Sequence, residues 1–193
     1  DRALPPGELL YAVAYDENRA GGFLHIDELD AVSTERPILV SNLVFHRFWS
    51  NSHLLDKAGI DRGNPPAGVH VGSDGRPDGT LIEGTGLANV LPSIPDLIDI
   101  TPGKIEHILP LFTAAGKTTV CEAIFGFFGL ARATDTFNDL FSRPDVLLRT
   151  VVLPFGKNGI PAAGSVDGYI THIEEARASQ TDKFRIGGVK LYL

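Results

Sequence analysis

Three places along the chain carry residues able to do chemistry. His46 follows the apolar run 38–45 and is trailed by Arg47, Phe48 and Trp49. A side chain placed after a strand end stands where α/β proteins build their sites. Cys121-Glu122 closes the run Thr118-Thr119-Val120. A carboxylate there would face the mouth of a parallel barrel, the usual position for chemistry, or else form a salt bridge on the rim. In residues 188–193, Val189, Leu191 and Leu193 alternate with Lys190 and Tyr192. With the apolar face against helices, Lys190 points inward, where a lysine is costly unless paired, neutralised or modified. Reaction with carbon dioxide would turn it into a carbamate, an anionic oxygen ligand for two metals. An ion pair with a barrel carboxylate is the alternative, and the pattern alone leaves both open.

Other motifs carry less. Gly116-Lys117-Thr118-Thr119 evokes a phosphate loop, but that motif needs a glycine at 111, where leucine stands. The segment also runs from helix to strand, the reverse of the required context. Gly84-Thr85-Gly86 lacks the third glycine of a dinucleotide fingerprint. The six histidines, at 25, 46, 53, 70, 107 and 172, include no His-x-His and no His-x-x-x-His pair. Cys121, the single cysteine, forms no intrachain disulfide and no Cys-rich zinc knuckle, and is expected to be a small buried hydrophobe.

Composition narrows the class. The 193 residues carry 17 Lys plus Arg against 24 Asp plus Glu, a formal net charge of -7. That balance argues against a nucleic-acid partner, which calls for a basic face. At 43% hydrophobic and 21% charged residues the chain resembles an ordinary globular core, and no window reaches the roughly 18 apolar residues of a membrane span. Methionine is absent, and the chain ends on an apolar strand-like run. Both features lead to the expectation of a fragment of a longer protein. The compartment stays open, with the cytoplasm slightly favoured.

These residues need elements to position them. Residues 9–15 and 38–40 read as strands, with a short helical turn at 29–32 between them. Asn51-Ser52 is a helix N-cap, and Gly59 stands where a C-terminal cap glycine would. Residues 68–71 and 79–83 flank the Asp74-Gly75 turn of a hairpin. Residues 101–115 form a helix capped by Thr101 with Pro102 at its first position, and 118–128 a buried strand and its exit loop. Helix 131–141, strand 146–154, helix 168–179 and strand 186–193 follow. This alternation implies a parallel sheet or barrel. The chain thus divides into an irregular α+β segment with a β-hairpin insertion, 1–100, and helix-strand repeats, 101–193.

Several segments together resemble amidohydrolase family 3 of the amidohydrolase superfamily, the group of N-substituted formamide deformylase and related metal-dependent hydrolases. They are Arg36–Val40 running to His46, then Trp49-Ser50-Asn51-Ser52 and Leu54 through Ala58-Gly59-Ile60; Asn64–Gly68 with Asp74–Glu83; Ala114–Val120; and Ile186–Tyr192. Their order and spacing agree over nearly the whole chain.

The resemblance implies a metal-dependent hydrolase on a (β/α)8 TIM-type barrel, with this chain holding about strands 2–5. It implies a divalent metal centre, two zinc ions in the parent, in which Lys190 is the bridging carboxylated lysine. His46, Trp49 and Glu122 become candidate substrate-binding residues, with Trp49 lining an apolar pocket. Arg47 and His53 stand where small residues are commoner, which points to an altered pocket. The family's His-x-His pair would precede Asp1, and its later histidines and final aspartate would follow Leu193. The expected function is therefore that of a central fragment of an enzyme cleaving amide-type C–N bonds in a small-molecule substrate. The isolated chain is expected to bind no metal and to be inactive. The competing reading is a non-catalytic truncated barrel module that binds a small ligand or forms homo-oligomers through exposed barrel edges.

Overall fold

The structure, a computed structural model, describes residues 5, 7–98 and 101–191. The chain divides into two compact units, Asp1–Ile98 and Asp99–Leu193. Both are mixed α/β. No helix among the described residues is long and apolar enough to cross a membrane.

The first unit runs β1 (Leu10–Tyr15), α1 (Glu17–Ala20), α2 (Ile26–Val32), β2 (Ile38–Asn42), β3 (Arg47–Ser50), α3 (Ser52–Lys57), β4 (Val69–Val71), β5 (Pro77–Ile82), α4 (Glu83–Ala88) and α5 (Pro95–Ile98), with a 3₁₀ turn at Leu91–Ser93. Its sheet has the order β1-β2-β3-β5-β4. β1 and β2 are parallel and the remaining pairs antiparallel. All five residues of β2 are buried, as in a strand covered on both faces, and Ile38, Leu39 and Val40 accordingly follow one another without alternation. Leu29, Ile38, Val40 and Trp49 form one core, joined by Leu10, Tyr15 and Leu24.

Asn51 ties sheet to helix. Its Oδ1 accepts from the Ile38 and Leu54 amides at 3.0 and 3.1 Å, capping α3. Its Nδ2 donates to the Ser33 and Arg36 carbonyls at 2.7 and 2.8 Å. A fully buried amide with both of its polar atoms bonded holds position rather than costing stability.

β3 is a finding the sequence did not announce. The apolar run 38–45 ends as a strand at Asn42, turns over 43–46, and returns as Arg47–Ser50 between β2 and β5. Arg47-Phe48-Trp49-Ser50 does not alternate apolar and polar residues, so periodicity gives no strand signal there.

The second unit runs α6 (Pro102–Ile105), a 3₁₀ turn at Glu106–Ile108, α7 (Leu109–Ala114), β6 (Thr119–Phe125), α8 (Leu130–Ser142), β7 (Arg149–Pro154), α9 (Gly156–Ala162), α10 (Val166–Ala178) and β8 (Phe184–Ile186). β6, β7 and β8 form an all-parallel sheet in that order. Val152, Phe184 and Ile186 pack with Ala133, Leu140 and Phe141 of α8 and Tyr169, Ile173 and Ala176 of α10 in one core.

Three expectations need correction here. The single helix over 101–115 is three short pieces, because Pro110 offers no N–H to continue the ladder. The strand after Gly116 is not buried: of Thr119–Phe125 only Phe125 is, and Cys121 is exposed. An edge strand with one uncovered face leaves it so. The last strand stops at Ile186, after which Lys190 makes an isolated parallel bridge with Phe155. Tyr192 and Leu193 lie outside the described residues.

Candidate functional site

His46 lies at the end of the β2–β3 turn, and Asn42 builds that turn. The Asn42 Oδ1 accepts from the amides of His46 and Arg47 at 3.0 and 3.2 Å, while its Nδ2 reaches Glu17 Oε1 at 3.4 Å. The ladder Phe48↔Leu81, Arg47↔Ile82 makes His46 and Glu83 the next facing pair. The Glu83 amide donates to the His46 carbonyl at 2.9 Å. Their side chains also meet, with His46 Nδ1 at 2.9 and 3.0 Å from the two Glu83 carboxylate oxygens. Both remain about half exposed, at 53% and 43%.

Beside them Arg47 lays its guanidinium 3.9 Å from the Phe23 ring centroid, within cation–π range. Phe23 leans on Trp49 at 6.3 Å, and Trp49 meets Tyr15 edge-on at 5.2 Å. Trp49 is fully buried, and its indole N–H finds no acceptor among the described residues. The expectation that Trp49 lines an open pocket is corrected in this unit: its ring packs in the core, and Phe23 and Arg47 are what reach the surface above it.

Glu122 stands in register with Val152 and Ile186, in the middle of β6 rather than at its end. Its Oε1 accepts from the Ile124 amide at 2.7 Å, where the β6–β7 register shifts. The carboxylate thus serves a bulge in its own strand. Lys190 lies farther along, opposite Phe155, three residues or about 10 Å beyond Val152 on β7. Its amide donates to the Pro154 carbonyl and its carbonyl accepts from the Gly156 amide, both at 2.9 Å. Lys190 is half-buried at the C-terminal end of the parallel sheet, while Val189 and Leu191 are 41% and 58% exposed. The apolar face expected to meet helices is therefore open among the described residues.

His46 and Trp49 belong to the first unit, and Glu122 and Lys190 to the second. Within the second unit Glu122 and Lys190 stand at different levels of the sheet, opposite Val152 and Phe155. Among the described residues no three His, Cys, Asp or Glu gather closely enough to hold a metal ion. The described residues of this chain do not by themselves fit a metal centre, since Lys190 supplies at most one of the ligands. Two shallow clefts of the second unit, around Glu106, Arg143 and Leu148 and around Gln180 and Arg185, lie by the N-terminal ends of β7 and β8, the end away from Lys190.

Two pairings escaped the sequence. Glu83 is one; the sequence marks it as the end of the hairpin arm whose turn is Asp74-Gly75 and as the last residue of the resembling segment Asp74–Glu83, but not as the partner of His46. The other joins His70 Nδ1 to Asp78 Oδ2 at 2.7 Å across the same hairpin, where Asp78 also accepts from the Thr80 amide at 2.9 Å. Burial pushes the Asp78 carboxyl up. The Thr80 and His70 hydrogen bonds outweigh it and hold the group below the usual carboxylate range.

No family model and no curated protein sequence matches the chain. Two solved structures are similar in fold. Against an uncharacterized metal-dependent hydrolase from Pyrococcus horikoshii OT3 the TM-score is 0.53 at 14% identity, covering 95% of this chain and 34% of that one. Against an uncharacterized metal-dependent hydrolase from Pyrococcus furiosus it is 0.52 at 16% identity, covering 94% and 34%. The chain thus spans about a third of each, and at such identities the likeness is one of fold.

Proposed function

We propose that the chain is part of a metal-dependent hydrolase cleaving amide-type C–N bonds, related to amidohydrolase family 3 and built on a (β/α)8 barrel. In this reading it contributes about the second to fifth strands, and alone it is inactive. The observation that carries the reading is the place of Lys190, fixed by two backbone hydrogen bonds at the C-terminal end of a parallel sheet. That is the end where barrel enzymes keep their chemistry. The fold likeness to two chains named as metal-dependent hydrolases supports it.

The metal, zinc in this proposal, would supply Lewis acidity toward the scissile carbonyl. The other residues needed to hold it belong to sequence outside this chain. Lys190, once carboxylated, presents anionic oxygens instead of a cation. His46 is the substrate-side group, Trp49 supports the Phe23–Arg47 pair from beneath, and Glu122 shapes the strand leading to the site.

The test is hydrolysis by the protein of the complete gene, using N-formyl and N-acyl amines, hydantoin-like rings and esters, before and after chelation. The proposal expects cleavage of an amide-type substrate, loss on chelation, recovery with zinc, and no turnover by the 193-residue chain. Turnover that survives chelation, or activity confined to esters, would contradict it.

A second reading, a non-catalytic module that self-associates, is favoured by one observation. Ile124, Val189 and Leu191 are 43%, 41% and 58% exposed toward the C-terminal end of the β6-β7-β8 sheet.

A further inference from the structure

Two of the three non-glycine residues with left-handed backbone among the described residues flank one histidine. Phe45, at φ 57°, precedes His46, and Glu83, at φ 58°, faces it. The third is Ala14. Left-handed backbone is unfavourable for residues with a Cβ, and it persists where the surroundings over-determine it. Here the surroundings are visible: Asn42 holds the His46 amide, and the Glu83 amide holds the His46 carbonyl. The strained turn at Glu83 delivers its carboxylate to His46 Nδ1.

An ionised carboxylate only accepts hydrogen bonds. The ring nitrogen facing it must therefore carry the proton, so the neutral imidazole is protonated at Nδ1 and presents a bare Nε2. We infer that Glu83 is a positioning residue, which fixes the tautomer and orientation of His46 so that Nε2 accepts a hydrogen bond from an N–H or O–H of the bound substrate. The inference deepens the reading of His46 as substrate-facing and rests on it. The backbone strain fits this role. A glycine at 83 would relieve the strain, yet a carboxylate stands there.

The experiment reads the tautomer directly. The chain is labelled with ¹⁵N-histidine, and long-range ¹H–¹⁵N correlations are recorded at about pH 8, where exposed imidazole is neutral. The His46→Gln variant assigns the signal among the six histidines. The wild type should show His46 protonated at Nδ1. Glu83→Gln, which keeps an acceptor oxygen, should retain that form. Glu83→Gly should shift it to the Nε2-protonated form that an unpaired histidine side chain favours in water, with no fall in melting temperature, because glycine accepts the positive φ. Should Glu83→Gly fail to fold, Glu83→Asn repeats the comparison with a residue that tolerates this backbone but whose shorter side chain stops short of Nδ1. A wild-type His46 protonated at Nε2, or an Nδ1-protonated form persisting in Glu83→Gly or Glu83→Asn, overturns the inference. The readout needs neither metal nor turnover. A hydrolase that fails its own test leaves this result standing, and the reverse holds too.

Discussion

Lys190 and Phe155 are parallel bridge partners, with the Lys190 amide bonded to the Pro154 carbonyl and the Gly156 amide to the Lys190 carbonyl, each at 2.9 Å. The ladder reaches this bridge from Val152↔Ile186 with one residue more on the Lys190 side than on the β7 side. Such an extra residue is how a strand re-aims a side chain at its end. Backbone atoms make the bridge, so a change of side chain at Lys190 leaves both donors and both acceptors of these hydrogen bonds in place.

A substitution at Lys190 should therefore separate structure from chemistry. In the protein of the complete gene, Lys190→Ala should lower kcat/KM by more than about 100-fold, beyond the usual cost of losing a residue that merely supports a metal ligand. Circular dichroism should be unchanged. A loss under tenfold would remove Lys190 from the proposed site.

The hairpin that delivers Glu83 depends on a close backbone approach. Gly68, at φ 87°, lies against the Gly86 backbone, and its carbonyl accepts from the Ile82 amide at 2.7 Å. A methyl group there meets both strain and collision. Gly68→Ala should destabilise the chain by about 2–4 kcal/mol in urea unfolding. A change within about 0.5 kcal/mol would mean that the turn has room to relax.

Asp78 gives the first unit an acid-sensitive bond. Its folded pKa lies below the ordinary value, so its stabilisation is present above the unfolded value near 4 and is lost as pH falls through the folded value. Asp78→Asn should cost about 1–2 kcal/mol at pH 7 and progressively less below about pH 4. Denaturant titrations across this range that give parallel acid limbs for variant and wild type would refute the assignment.

Self-association follows from the uncovered end of the β6-β7-β8 sheet. Sedimentation velocity on the 193-residue chain at tens of micromolar should show a concentration-dependent dimer or larger species. Ile124→Lys, placed on the edge strand at 43% exposure, should weaken it. A monomer at every concentration would remove the second functional reading.

Much of the fold was legible because local chemistry and periodicity agreed with it. Asn51 and Gly59 mark the ends of α3, Asp74-Gly75 turns the β4–β5 hairpin, and alternating segments after 118 give the parallel strands. Less legible were features decided by distant neighbours. β3 is a strand because β2 and β5 flank it. Trp49 belongs to the core because Tyr15 and Phe23 close over it, and Cys121 is exposed because nothing among the described residues covers that face of β6. The His46–Glu83 contact joins residues 37 positions apart, so only the register of β3 on β5 reveals it.

Lys190 is proposed to serve a metal centre completed by sequence outside this chain. Zinc analysis and native intact mass of the protein of the complete gene, beside the 193-residue chain, test it most directly. The expected result is about two zinc ions and the mass gain of one carbon dioxide on a lysine in the longer protein, both absent from the shorter chain and from Lys190→Ala of the longer one. A metal-free longer protein, or one whose zinc content is unchanged by Lys190→Ala, would contradict it.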